Sequence, residues 1–110
     1  MITNLDYLNE LSDGSEEFIK DIVGTFVEET PENLERIQQA LLIGDYATIG
    51  IVAHKIKPSM TFFGIAELED DIKELEQNAN TLQNLDQIPA QVEKLNRILN
   101  LALIELKAVL

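Results

Sequence analysis

The sequence predicts an all-α fold: an antiparallel four-helix bundle with an additional short N-terminal helix. Three observations carry that expectation. Apolar residues recur at spacings of three and four over most of the chain, as one face of a helix requires. No stretch of useful length alternates with the period of two that a half-buried strand needs. Glycines and prolines fall mainly where one apolar stripe ends and the next begins, and short connections favour antiparallel neighbours. At 110 residues the chain has the length of one ordinary domain with one modest core, so residues 1–110 are read as a single domain.

Leu5, Leu8 and Leu11 suggest a short first helix ending in the turn residues Ser12-Asp13-Gly14. Ser15 and the acids Glu16 and Glu17 open a second. Its stripe is Phe18, Ile19, Ile22, Val23, Phe26 and Val27, resumed by Leu34, Ile37, Leu41 and Leu42 and closed by Gly44. Thr30-Pro31 interrupts this run, because proline lacks the amide donor of a helix interior, and a kink or restart is expected there. Asp45 can cap a third helix with Ile49, Val52, Ala53, Ile56, Met60 and Phe63 inward, ended by Gly64 in left-handed geometry. The fourth presents Leu68, Ile72, Leu75 and Ala79. The last runs from about Asp86, with Pro89 in its first turn and Ile88, Val92, Leu95, Leu99, Ala102, Ile104 and Leu106 on its apolar side.

Composition narrows the function. Hydrophobic residues make up 45% and charged residues 25%, the balance of a folded soluble domain and not of a disordered tail. Twenty acids against eight basic residues give a net charge of −12, which repels nucleic acid and anionic lipid. No apolar run approaches the ~18 residues of a spanning helix, and the N-terminus lacks the pattern of a signal peptide, so a cytoplasmic monomer without membrane insertion is expected. With no cysteine there is no disulfide, thiolate metal site or thiol nucleophile.

The single histidine, His54, lies on the third helix, turned roughly 150° from the centre of the apolar stripe, and should reach solvent. Ala47 and Gly50 precede it on that outer face; Lys57 and Thr61 follow at helical spacing. Gly50 costs a helix roughly 1 kcal/mol relative to alanine, which hints that another surface approaches its backbone. Ile51 and Phe62 lie off the core stripe near the histidine, where apolar residues mark a protein-binding face or pack under the first helix.

The string Ala53-His54-Lys55-Ile56-Lys57-Pro58-Ser59, with Gly64 ten residues after the histidine, resembles the signature of histidine-containing phosphotransfer (HPt) domains. The likeness extends to the short first helix, the Phe-rich second helix, Gly44-Asp45 before the third, and the hairpin beyond Gly64. It implies that His54 is a phosphoacceptor, taking a phosphoryl group from one receiver-domain aspartate and yielding it to another. It implies a charge-balancing role for Lys57 and a docking face around Gly50, Ile51, Pro58, Thr61 and Phe62. Ser59 and Gly64 belong to the motif as structural residues. Pro58 stands where the family often has glycine, which alters the docking surface beside the histidine. Glu76 occupies a position where family members often place a polar residue that orients the histidine, and the hairpin puts the two at similar heights, ~15 and ~18 Å from the turn. The implied partners are receiver domains of response regulators and hybrid sensor histidine kinases. Magnesium is expected on the receiver, with no cofactor on this chain.

Other functions fare worse on the residues. A carboxylate metal site needs more than one histidine and an acid three residues before it; His54 has Ile51 there and Lys57 beyond. There is no glycine-rich nucleotide loop for a kinase, and one histidine would have to serve every role in a hydrolase. The alternative that stays open is a helical adaptor that binds signalling partners without transfer.

Overall fold

A computed structural model describes residues 1–110 as five α-helices and no strand: α1 (Asp6–Leu11), α2 (Glu16–Ile43), α3 (Tyr46–Phe62), α4 (Ala66–Thr81) and α5 (Ile88–Lys107), with a 3-10 turn at Leu85–Gln87 leading into α5. At about 1.5 Å per residue the 28 residues of α2 span about 42 Å, which is the long dimension of the 42 × 21 × 21 Å molecule. α3 and α5 pack on α2, and α4 lies diagonally across from it, packed on α5 and most extensively on α3.

Local chemistry sets the ends. The Ser15 hydroxyl accepts from the Phe18 amide and opens α2; Gly44, at φ 72°, closes it in the left-handed conformation. The Asp45 carboxylate accepts from the Thr48 amide at 3.2 Å and its hydroxyl at 2.6 Å, opening α3. These bonds to the hydroxyl and then the amide of Thr48 lower the Asp45 pKa. Gly64, at φ 58°, turns the chain from α3 into α4.

The expected kink in the second helix is absent: α2 runs unbroken through Pro31. Pro31 is on the exposed side, where the carbonyl it leaves unpaired, that of Val27, can bond water. Every residue of the expected stripes on α3 and α4 is buried. On α5 the reading slips at one place. Ile104 is 68% exposed, while Ile98 and Leu103 are buried, because Leu95, Leu99, Ala102 and Leu106 define the inward line and Ile104 is two residues, or about 200°, past Ala102. Phe18 and Leu42, near the two ends of α2, are also exposed.

The N-terminal segment is tied down. Glu105 accepts from the amides of Ile2 and Thr3 and from the Thr3 hydroxyl, at 2.8, 3.0 and 2.8 Å. The Asn4 amide bonds to the Phe63 carbonyl, and Asn4 packs so close to Gly64 that a side chain there would strike its backbone. Leu8 alone anchors α1 in the core.

Candidate functional site

The α3–α4 hairpin brings three charged side chains together. The imidazole of His54 is 72% exposed, as its place on the outer face of α3 predicts. Its Nδ1 lies 2.6 Å from Oε2 of Glu76, and the other Glu76 oxygen accepts from the Lys57 ammonium at 2.7 Å. A carboxylate can only accept, so Nδ1 carries the proton of this bond, and in the neutral ring the lone pair is that of Nε2. Glu76 is 14% exposed and Lys57 34% exposed, so the carboxylate lies beneath the two groups it joins.

The electrostatics follow from that geometry. The Lys57 hydrogen bond lowers the Glu76 pKa, against the opposing effect of burial, and the bond from His54 adds to the lowering. Glu76 is therefore an anion at neutral pH, holding one ring nitrogen and one ammonium in place. The local chemistry is that of a solvent-facing imidazole nucleophile with a cation one turn away.

Other residues singled out from the sequence divide. Ile51 is 62% exposed, and Pro58 and Thr61 are exposed on the same helix. Phe62 is exposed in part, with its ring against Tyr7 of α1 at 6.0 Å between centroids. It thus packs on the first helix while keeping an edge in solvent. Ser59 is partly buried and faces α2. Pro58 leaves the His54 carbonyl without its usual helical donor, yet α3 continues to Phe62.

Gly50 departs from the expectation. It is buried, and a Cβ there would overlap the side chain of Asn80 and meet Ala79. The surface that approaches its backbone is α4 of the same molecule, and Asn80 lies over it one turn beyond Glu76.

One feature escaped the sequence reading. A groove of about 190 Å³ runs between α2 and α3, lined by Phe26, Thr30, Asn33, Lys55, Ser59 and Phe62 among others. Thr30 and Asn33 are buried polar residues on the inward side of α2. The signal was present: both interrupt an otherwise apolar stripe, and polar side chains placed there need a reason. No group of three or more acidic or histidine side chains converges into a metal cage.

A family model described as the Hpt domain matches residues 21–108, most of the chain. The chain belongs to the Hpt domain family. Hpt domains are histidine phosphotransfer carriers of two-component signalling, and they interact with receiver domains. The match includes α3, α4, α5 and most of α2, so His54, Lys57 and Glu76 all lie within the Hpt domain. No curated protein and no solved structure matches the chain. No helix is long and apolar enough to cross a membrane.

Proposed function

We propose that this Hpt domain is a phosphorelay carrier in which His54 accepts a phosphoryl group from one receiver aspartate and delivers it to another. The observation that carries the reading is the exposed imidazole whose Nδ1 is held by Glu76. That contact selects the tautomer with a free lone pair on Nε2.

In the forward step the Nε2 lone pair forms a bond to phosphorus. The bond from phosphorus to the aspartyl oxygen breaks, and its electrons leave with the receiver's carboxylate. The ring then carries phosphoryl on Nε2 and a proton on Nδ1, so it gains a positive charge that faces Glu76. Lys57 supplies a cation to the phosphoryl oxygens and offsets the charge that gathers there. Delivery reverses these movements onto a second receiver. Magnesium acts from the receiver's acidic pocket, and the chain itself binds no cofactor. Ile51, Pro58, Thr61 and the exposed edge of Phe62 contribute the docking face around the histidine, with Asn80 over Gly50 at its α4 border.

The test is incubation with a panel of phosphorylated receiver domains, comparing wild type with His54→Gln by radiolabel transfer and intact mass. Label on wild type alone is the expected result. Equal binding by both proteins with no label on either would replace the relay with an adaptor that docks without transfer.

A further inference from the structure

The carboxylate of Glu76 serves two donors at once, Nδ1 of His54 through one oxygen and the Lys57 ammonium through the other. A neutral amide acceptor at this position would hold the tautomer equally well. The negative charge is therefore more than orientation requires, and it has a consequence for the phosphorylated state. We propose that the charge of Glu76, beyond its hydrogen bond, makes His54 a fast-discharging carrier whose phosphorylated form is short-lived at neutral pH. The proposal rests on the phosphorelay reading and adds to it how long the group is held.

Two effects act in the same direction. When phosphoryl occupies Nε2, Lys57 gains a multiply charged anion as a partner and Glu76 is left to the ring. A carboxylate in contact with Nδ1–H favours the protonated, cationic ring. From that form the nitrogen–phosphorus bond breaks with its electron pair returning to Nε2, and the departing group is neutral imidazole. An unprotonated ring would have to leave as an anion, which is far slower. Phosphorus passes to the oxygen of water, which loses a proton to solvent, or to the receiver's carboxylate oxygen. The second effect is repulsion: a carboxylate one ring away from the phosphoryl oxygens raises the energy of the loaded state.

Apart from the ring itself, Lys57 is the one cation in contact with this charge. Of the two α3 lysines, only Lys57 reaches Glu76, while Lys55 lines the groove toward α2 with Glu29. On α4, Lys73 and Glu69 share a small cleft with Lys57 and Met60. From α5, Lys94 is held by Asp71 at 2.6 Å. Loading the site draws Lys57 toward phosphoryl and leaves no second cation in contact with Glu76.

The experiment loads wild type, Glu76→Gln and Glu76→Ala with phosphoramidate, a small donor that needs no receiver. His54 is the only histidine, so the label has one site. The loss of phosphohistidine is then followed by phosphorus NMR from pH 4 to pH 9, with melting curves to show that each variant is folded. At pH 8 wild type should discharge about tenfold faster than Glu76→Gln, the low end of what one opposite charge in contact does to a protonation equilibrium. The two should converge in acid, where Nδ1 of the phosphorylated ring is protonated in both. Glu76→Ala should be long-lived like the Gln variant. Lifetimes within twofold at pH 8 would overturn the proposal, as would a Gln variant matching wild type while Ala differs, because that pattern assigns Glu76 to positioning alone. Separated lifetimes in a protein that no receiver can charge or discharge would overturn the relay and leave this inference standing. Failure of phosphoramidate to load wild type would overturn both.

Discussion

Replacing Lys57 by alanine isolates the contribution of one cation to transfer. Its ammonium is 2.7 Å from Glu76 on the histidine's face, and the side chain is about one-third exposed. Two unit charges about 4 Å apart interact by about 1 kcal/mol in water and about 4 at an effective dielectric of 20, so a half-wetted site takes roughly 2. Part of that attraction already acts while phosphoryl is still attached to the incoming receiver. About 1.4 kcal/mol is then left to distinguish the transition state, which corresponds to about tenfold in rate. Single-turnover transfer from a phosphorylated receiver is the assay, with Lys57→Arg as the control that keeps charge and a melting curve as the check on folding. The alanine variant should be about tenfold slower and less sensitive to salt, and arginine should recover most of the loss. Transfer within twofold of wild type would refute the electrostatic argument, because it would show Lys57 to be an ordinary solvated lysine that only covers Glu76.

Two further substitutions test the frame around the site. Gly50→Ala brings a Cβ onto the Asn80 side chain, whose exposed amide can rotate away, and removes the helix penalty of glycine. Stability should rise by up to about 1 kcal/mol in denaturant titration, and a loss of more than 1 would mean that Asn80 is fixed. Glu105→Gln tests the N-terminal tether. Burial pushes the Glu105 carboxyl up, but the Thr3 and Ile2 amides and the Thr3 hydroxyl bring it below its ordinary value. A lowered folded pKa means that the stabilisation is present above the unfolded carboxylate range and lost as pH falls through the folded value. At pH 7 the variant should lose about 1–2 kcal/mol, or about 4–8 °C in melting temperature, and the gap to wild type should close in acid. A gap independent of pH would exclude the charge of Glu105 as its source.

Much of the fold was legible because amphipathic spacing reports burial directly. Ile49, Val52, Ala53, Ile56, Met60 and Phe63 all lie inward as their periodicity predicts. The errors have specific causes. Ile104 is apolar but lies off the inward line of α5, and hydrophobicity without phase misplaces it. Pro31 breaks the pattern of donors and not the path of the helix, because its lost hydrogen bond falls on the solvent side, a distinction that residue identity does not encode. Among the acidic residues of α4, the resemblance and the height about the hairpin single out Glu76 in the sequence, but only packing shows that it faces α3 while Glu67, Asp70 and Glu74 are exposed.

The site was readable in height but not in azimuth. Height follows from rise alone: with the hairpin closed at Gly64, His54 and Glu76 differ by about 3 Å along the axis, within reach of a glutamate side chain. Azimuth requires knowing where the neighbouring helix sits. A helical wheel treats the centre of the apolar stripe as the direction of the rest of the protein, and by that measure His54 turns away from everything. In a bundle each helix has neighbours on the flanks of its stripe, and α4 covers the flank that carries Gly50. The sequence Gly50, His54 and Lys57 thus runs along the edge of the α3–α4 contact, with Asn80 over the glycine and Glu76 beneath the other two. That edge is where a side chain can be wet at its tip and fixed at its base. A nucleophile that must meet a partner's phosphoryl group while keeping one tautomer needs both conditions, and a position on the stripe or fully opposite it would meet only one of them.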